Sequence, residues 1–128
     1  MKYYIAKKIN VTFQEAIEKV TEELKKEGFG IISEIDIQAK LHEKLGVDFR
    51  KYKILGACNP SFAHQALTLE DKIGTMLPCN VIVQEVSEDE TEVAAVNPVV
   101  SMQGVQNQNL EEIAKEVTDR LEKAISRL

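Results

Sequence analysis

Two cysteines and one histidine are the residues of this chain best suited to chemistry. Cys58 and Cys79 are the only cysteines, and each stands beside an asparagine and near a proline, in the segments CNP and PCN. His64 follows six residues after the first cysteine. Thiolate and imidazole together suit Zn(II) or Cu(I), with a fourth position left open. The three residues are therefore a candidate metal site, although their spacing matches none of the tight pairs of zinc motifs.

Cys58 is also a candidate nucleophile. The pair Asn59-Pro60 predicts a helix start, because asparagine is a good N-cap and proline fits the first helical position. Cys58 would then lie next to a helix N-terminus, where partial positive charge favours a thiolate. The alternative is that both cysteines are packing residues, since free cysteine is among the most buried residue types. For a small ligand, the candidate contacts are Cys58, Asn59, His64, Cys79 and Asn80.

Other polar residues are weaker candidates for a functional site. Glu34 and Asp36 share one face of a predicted strand and could act as a paired acid and base. The alternative, which we favour, is the solvated side of an edge strand. His42 is expected to be exposed. The chain contains no glycine-rich phosphate loop, no HExxH and no GxSxG, so the common motif-defined enzyme classes are excluded.

Hydrophobic periodicity predicts the elements that must position these residues. Alternating or apolar segments predict strands over 3–9, 29–37, 52–58, 79–86 and 91–96, the last two as a hairpin around the acidic turn 87–90. Helical spacing predicts helices from Thr12 to about Gly28, over 38–46, over 60–69, and from residue 109 to the C-terminus. Residues 97–108 are predicted to be irregular.

The helix ends carry recognisable signals. Thr12 with Glu15 forms a capping box, and Asn109 with Glu112 is predicted to cap the last helix. That last helix also places Glu111 and Lys115 four residues apart, a spacing that favours an ion pair on a solvated face.

The order of elements predicts an α+β fold. Strands outnumber the long helices and do not alternate with them, which indicates a mainly antiparallel sheet with helices on one face, in the order β-α-β-β-β-β-α. The length of 128 residues predicts a single domain over 1–128. The other sheet face must then be solvated or covered by a partner, and the apolar strand YKILGA and the apolar loop NPVVSM favour a partner.

Charge and composition restrict the partners. The net charge of −5 and the pI of about 5.1 argue against nucleic-acid binding and against docking on an anionic membrane. The N-terminus has no apolar signal-peptide core and no segment is long enough to span a membrane, so we expect a cytoplasmic protein with reduced cysteines.

The segments GFGIISEIDIQAKLHEKLGVDFRKYKILGACNPSFAHQAL and GTMLPCNVIVQEV resemble the family known as domain of unknown function 302, closely over residues 28–86 and more loosely elsewhere. The resemblance implies a small domain similar to half of TATA-binding protein, often a homodimer. It does not imply that this protein binds DNA, because fold does not determine function. The motif positions that it carries onto this chain are Asp36, Asp48, Arg50, Cys58, Asn59, Pro60, His64, Pro78, Cys79 and Asn80.

Three functions remain open from the sequence. The first is a homodimeric binding module that holds a small ligand or a soft metal, zinc or copper, near the two cysteines. The second is a thiol enzyme or redox protein that uses Cys58 as its nucleophile. The third is a regulatory or scaffolding dimer in which the motif only shapes the fold.

Overall fold

The computed structural model describes all residues, 1–128. Its strands are β1 (Tyr4–Ile9), β2 (Gly30–Asp36), β3 (Tyr52–Cys58), β4 (Cys79–Ser87) and β5 (Glu90–Val96). Its α-helices are α1 (Phe13–Lys26), α2 (Ile37–Leu45), α3 (Pro60–Leu69), α4 (Pro98–Ser101) and α5 (Asn109–Ser126), and a 3-10 helix covers Asp71–Met76. All five predicted strands and all four predicted helices are present, with boundaries within one or two residues of those expected.

The five strands form one antiparallel sheet in the order β1-β5-β4-β3-β2. Strands β2 to β5 form a meander in which each strand pairs with the next in the chain, whereas β1 pairs with the last strand, with Tyr4 opposite Val96. The α+β class and the antiparallel sheet predicted from the sequence are confirmed.

Helices α1 and α5 cover one face of this sheet. The apolar stripe of α1, including Val20 and Leu24, and that of α5, including Leu121, are fully buried against inward-facing residues of the strands such as Leu55 and Val81. The core is continuous across 17 buried residues. None of the helices combines the length and the hydropathy that a membrane span requires.

The capping box at the start of α1 is present in a modified form. The Thr12 hydroxyl accepts the backbone N–H of Glu15 at 3.2 Å, as predicted. The Glu15 carboxylate then accepts the Thr12 hydroxyl proton at 2.9 Å instead of reaching the backbone N–H of Thr12. At the other end, Gly28 has φ +87, the left-handed conformation expected of a residue that ends a helix.

Two predictions near the C-terminus are wrong. Asn109 does not cap α5, because it is already the first helical residue, and the side chain of Asn107 accepts its N–H at 3.1 Å. The segment 97–108 is not wholly irregular, because Asn97 and Pro98 begin the short helix α4. Asn97 is buried, and its Oδ1 accepts the N–H of Val99 (3.2 Å) and the hydroxyl of Thr118 (3.3 Å) while its Nδ2 donates to the carbonyl of Lys2.

Candidate functional site

The end of β3 and the start of β4 bring the two cysteines together. In the register of these strands Ala57 lies opposite Cys79, so Cys58 is one residue from the partner of the second cysteine. Both cysteines are free, and both lie at one end of the sheet, next to α3. Strand pairing therefore brings together two residues that are 21 positions apart in the chain.

An apolar cavity of about 290 Å³ opens beside the two cysteines. Its walls come from the end of the sheet, from one face of α3, from α4 and the residues after it, and from α5. Fourteen of its 17 lining residues are hydrophobic. The lining residues are Phe29, Ile32, Ala57, Cys58, Asn59, Phe62, Ala63, Ala66, Leu67, Leu77, Pro78, Cys79, Pro98, Met102, Ile113, Ala114 and Val117.

The two thiols differ in their environment. Cys79 is buried, with 8% of its surface exposed, whereas Cys58 is half-buried. Burial raises the pKa of the Cys79 thiol from 9.0 to about 11, and the neighbouring charge of Cys58 adds to the rise. Cys79 is therefore a protonated packing residue near neutral pH, and any thiolate chemistry in this cavity belongs to Cys58.

Asn59 holds the cavity wall in place. Its Oδ1 accepts the N–H of Phe62 and so caps α3, and its Nδ2 donates to the carbonyl of Glu27 at the end of α1, both at 3.4 Å. The guanidinium of Arg120 donates to the same carbonyl at 3.2 Å and lies over the Phe62 ring. Because protein groups already occupy the amide of Asn59, it positions α3 and has little left to offer a ligand.

His64 and Asn80 do not join the cysteines. On α3 the cavity is lined by Phe62, Ala63, Ala66 and Leu67, and His64 lies on a different, exposed face of the helix. Asn80 is exposed and follows Cys79 in the strand, so it lies on the opposite face of the sheet, in a groove with Tyr52 and Ile82. The sequence could not show which helix face His64 takes.

The three residues of the predicted zinc or copper site do not form a metal-binding group. No cluster of three or more His, Cys, Asp or Glu side chains in the structure could hold a metal ion. Cys58 and Cys79 both line the cavity, and the third ligand that the prediction required, His64, lies on a different face of α3.

The remaining motif residues have structural contacts. Asp36 caps α2 by accepting the N–H of Ala39 at 2.9 Å. This is a structural role, and it differs from the acid–base pair with Glu34 considered from the sequence. Arg50 donates to the side chain of Gln84 at 2.8 Å. Pro78 follows a cis peptide bond and lines the cavity. Asp48 and His42 are exposed, the latter as predicted.

Several cavity residues were missed because they lie far from the cysteines in the chain. Phe29 precedes β2, Met102 follows α4, and Ile113 lies in α5. One signal was available: Asn97-Pro98 repeats the Asn59-Pro60 pair, and both pairs begin a helix that lines the cavity. The repeated pair predicts a second helix start at residue 98, but it does not predict that α3 and α4 lie at the same cavity.

Comparison with known proteins identifies a family, and solved structures with the same fold. The family model for the domain of unknown function DUF302 matches residues 5–128. A crystal structure of an uncharacterised conserved DUF302 protein from Bacillus stearothermophilus has 30% sequence identity and a TM-score of 0.90, with 99% of this chain and 98% of that chain covered. No curated protein matches the chain.

Proposed function

The chain belongs to the DUF302 family, a family of unknown function, and we propose that within it this protein binds a small apolar molecule in the cavity beside Cys58 and Cys79. The observation that carries the proposal is the cavity itself. It is closed on three sides by α3, α5 and the sheet, and nearly all of its wall is hydrophobic. A well-formed apolar pocket of this kind is the default binding site in a protein without a catalytic set.

The size of the cavity suits a ligand of ten or so carbon atoms. An engineered apolar cavity of ~150 Å³ in another protein stays dry and binds benzene. The cavity here has about 290 Å³, close to twice that volume. By that proportion it holds roughly 11 or 12 carbon atoms, at roughly 25 Å³ for each.

The polar groups of the wall favour a ligand portion without charge. Asn59 is committed to its bonds with Phe62 and Glu27, and Cys79 keeps its proton. This leaves Cys58, which is half-buried and lines the cavity, as the wall residue whose polar group, a weak thiol donor, is not already committed. A charged group placed in the cavity would lose its hydration without gaining a partner.

A small fluorescent apolar probe, 1-aminonaphthalene, whose size fits the cavity, tests the proposal by titration. We expect saturable binding with one site per chain. Ala63→Phe places a ring in the cavity from α3 and should abolish binding, whereas Ala6→Phe makes the same change at an exposed position of β1 and should leave binding intact. Binding that is equal in all three proteins, or absent from the parent protein, would refute the proposal.

Thiol chemistry is the second candidate function, and the unequal burial of the cysteines favours it. If the protein uses a nucleophile, that residue is Cys58, since Cys79 is buried and its pKa is raised to about 11. Iodoacetamide at mildly alkaline pH should then modify Cys58 well before Cys79, as read by peptide mass spectrometry. Equal rates, or reaction of both only on unfolding, would leave the cysteines as packing residues.

We also propose that the protein forms a homodimer. The register places Ile54, Ile82 and Ala94 in one row across the sheet face that no helix covers, and Tyr4 and Tyr52 flank that row. These half-buried side chains support a partner surface. Light scattering on the parent protein and on Ile82→Lys tests it: a dimer that dissociates in the variant supports the proposal, and a monomeric parent protein refutes it.

A further inference from the structure

A second cavity lies directly beside the first. It also has a volume of about 290 Å³, and it is bounded by α4, by the residues after it and by the first two turns of α5. Met102 and Ala114 line both cavities. The two spaces therefore meet at one small side chain and one flexible side chain.

The two cavities differ in polarity. The first has almost no polar wall, whereas four of the nine residues around the second are polar: Gln103, Asn107, Glu111 and Lys115. A space that is apolar at one end and polar at the other matches a molecule with the same division.

Lys115 is the cation of the second cavity, and it has no carboxylate partner. The predicted pair with Glu111 does not form, although the neighbouring pair of Glu116 with Arg120, at the same spacing, does. Glu111 lies in the first turn of α5, where the positive end of the helix dipole compensates its charge. Lys115 lies a turn further on and is left to attract an anion.

We propose that the two cavities form one site for a single-chain carboxylate, with the chain in the apolar cavity beside Cys58 and the carboxylate at Lys115. This inference rests on the proposed apolar-ligand function and names the ligand class. The side chain of Gln103, which makes no hydrogen bond within the protein, lies at the same end and can donate to the carboxylate.

Met102 is the gate between the two ends. Methionine is unbranched and adapts its shape to its neighbours, so a rotation of its side chain can join the cavities without moving the backbone. The backbone there is held, because the Nδ2 of Asn107 donates to the carbonyl of Leu69 at 3.0 Å and ties this segment to the end of α3.

Displacement of 1-aminonaphthalene by dodecanoate and by dodecan-1-ol tests the proposal. Both compounds should displace the probe, and dodecanoate should bind the more tightly. Lys115→Met should weaken dodecanoate by about three- to fivefold, as expected for a solvent-accessible ion pair, and leave dodecan-1-ol unchanged. Glu111→Gln should strengthen dodecanoate, and Lys123→Met, the same change eight residues further along α5, should alter neither.

The orientation is tested with ω-iodododecanoate. Its reactive carbon should reach Cys58: a C–S bond forms, the C–I bond breaks, iodide leaves and the thiol proton passes to the buffer. Lys115→Met should slow this modification below saturation by a similar factor, and it should not slow ω-iodododecan-1-ol. Cys58→Ser should remove the modification.

The outcomes separate the two proposals. If neither the probe nor either dodecyl compound binds, the apolar-ligand function fails and the carboxylate site fails with it. If dodecan-1-ol displaces the probe but dodecanoate binds no more tightly, or loses nothing in Lys115→Met, only the carboxylate site is overturned. Modification of residues other than Cys58 by the ω-iodo acid would overturn the orientation.

Discussion

The unequal cysteines make the stability of this protein depend on pH in a defined window. Burial holds the pKa of the Cys79 thiol at about 11 in the folded protein, against 9.0 for an ordinary cysteine. Below about pH 9 the thiol is protonated in both the folded and the unfolded chain and contributes no pH dependence. Between about pH 9 and pH 11 the unfolded chain loses the proton while the folded chain keeps it, so the free energy of unfolding falls as the pH rises.

The size of the effect follows from the two pKa values. They differ by about two pH units, and each unit is worth about 1.4 kcal/mol, so the loss reaches about 2–3 kcal/mol by pH 11. This is a large part of the stability of a domain of this size, roughly 6–15 kcal/mol. The loss should then level off, because above the folded pKa both states are thiolates.

Urea unfolding at a series of pH values, about pH 8 to pH 11, measures this loss. Lysines and tyrosines titrate in the same range, so the quantity to compare is the difference between the parent protein and Cys79→Ala, in which their contributions cancel. Cys58→Ala is the matched control, and it should keep most of the pH dependence, since burial is the larger cause of the raised pKa. Identical slopes for the parent protein and Cys79→Ala would refute the reasoning.

Three further substitutions test the packing around the site. A Cβ on Gly56 would overlap the Ser33 hydroxyl and lie 2.8 Å from Cγ of Pro78, so Gly56→Ala should cost about 1–3 kcal/mol in urea unfolding, with partial recovery in the double variant that adds Ser33→Ala. A loss below about 0.5 kcal/mol would contradict this packing. Asn97→Ala should lower the free energy of unfolding by about 2–3 kcal/mol, because the side chain is buried and its donor and acceptor are both occupied. Asn59→Ala should lower it by less, about 1 kcal/mol, because the two hydrogen bonds of Asn59 are long. The reverse order of these two losses would show that Asn59 is the more important cap.

Local patterns predicted most of the elements. The alternation in residues 29–37 and the Asn59-Pro60 pair act over a few neighbours in the chain, and the strand and the helix that they predict are present. Asn109 failed as a cap because it is already helical, with Gln108 at the cap position, and the side chain of Asn107 accepts its N–H. Which of two nearby asparagines lies at the start of the helix depends on the path of the preceding chain segment, and the local sequence pattern does not specify that path.

The candidate site was harder to predict because it depends on packing. The flanking motifs pointed to Cys58 and Cys79, and strand pairing does bring them together. The cavity, however, is a space left among α3, α4, α5 and the sheet, and no single residue specifies it. His64 was assigned to the site by its proximity in sequence, whereas its side of the helix is set by the tertiary contacts of Ala66 and Phe62.

The position of β1 at the edge of the sheet has a consequence for synthesis of the chain. Each of the strands β2 to β5 pairs with its neighbour in the chain, so each pair can form once the next strand has been synthesised. Strand β1 has no partner until β5 has been synthesised, because Tyr4 pairs with Val96. A chain that leaves the ribosome therefore carries its first strand unpaired through most of translation. Lys7 and Lys8 place two positive charges on this strand, and charged residues on an edge strand disfavour pairing with strands of neighbouring chains.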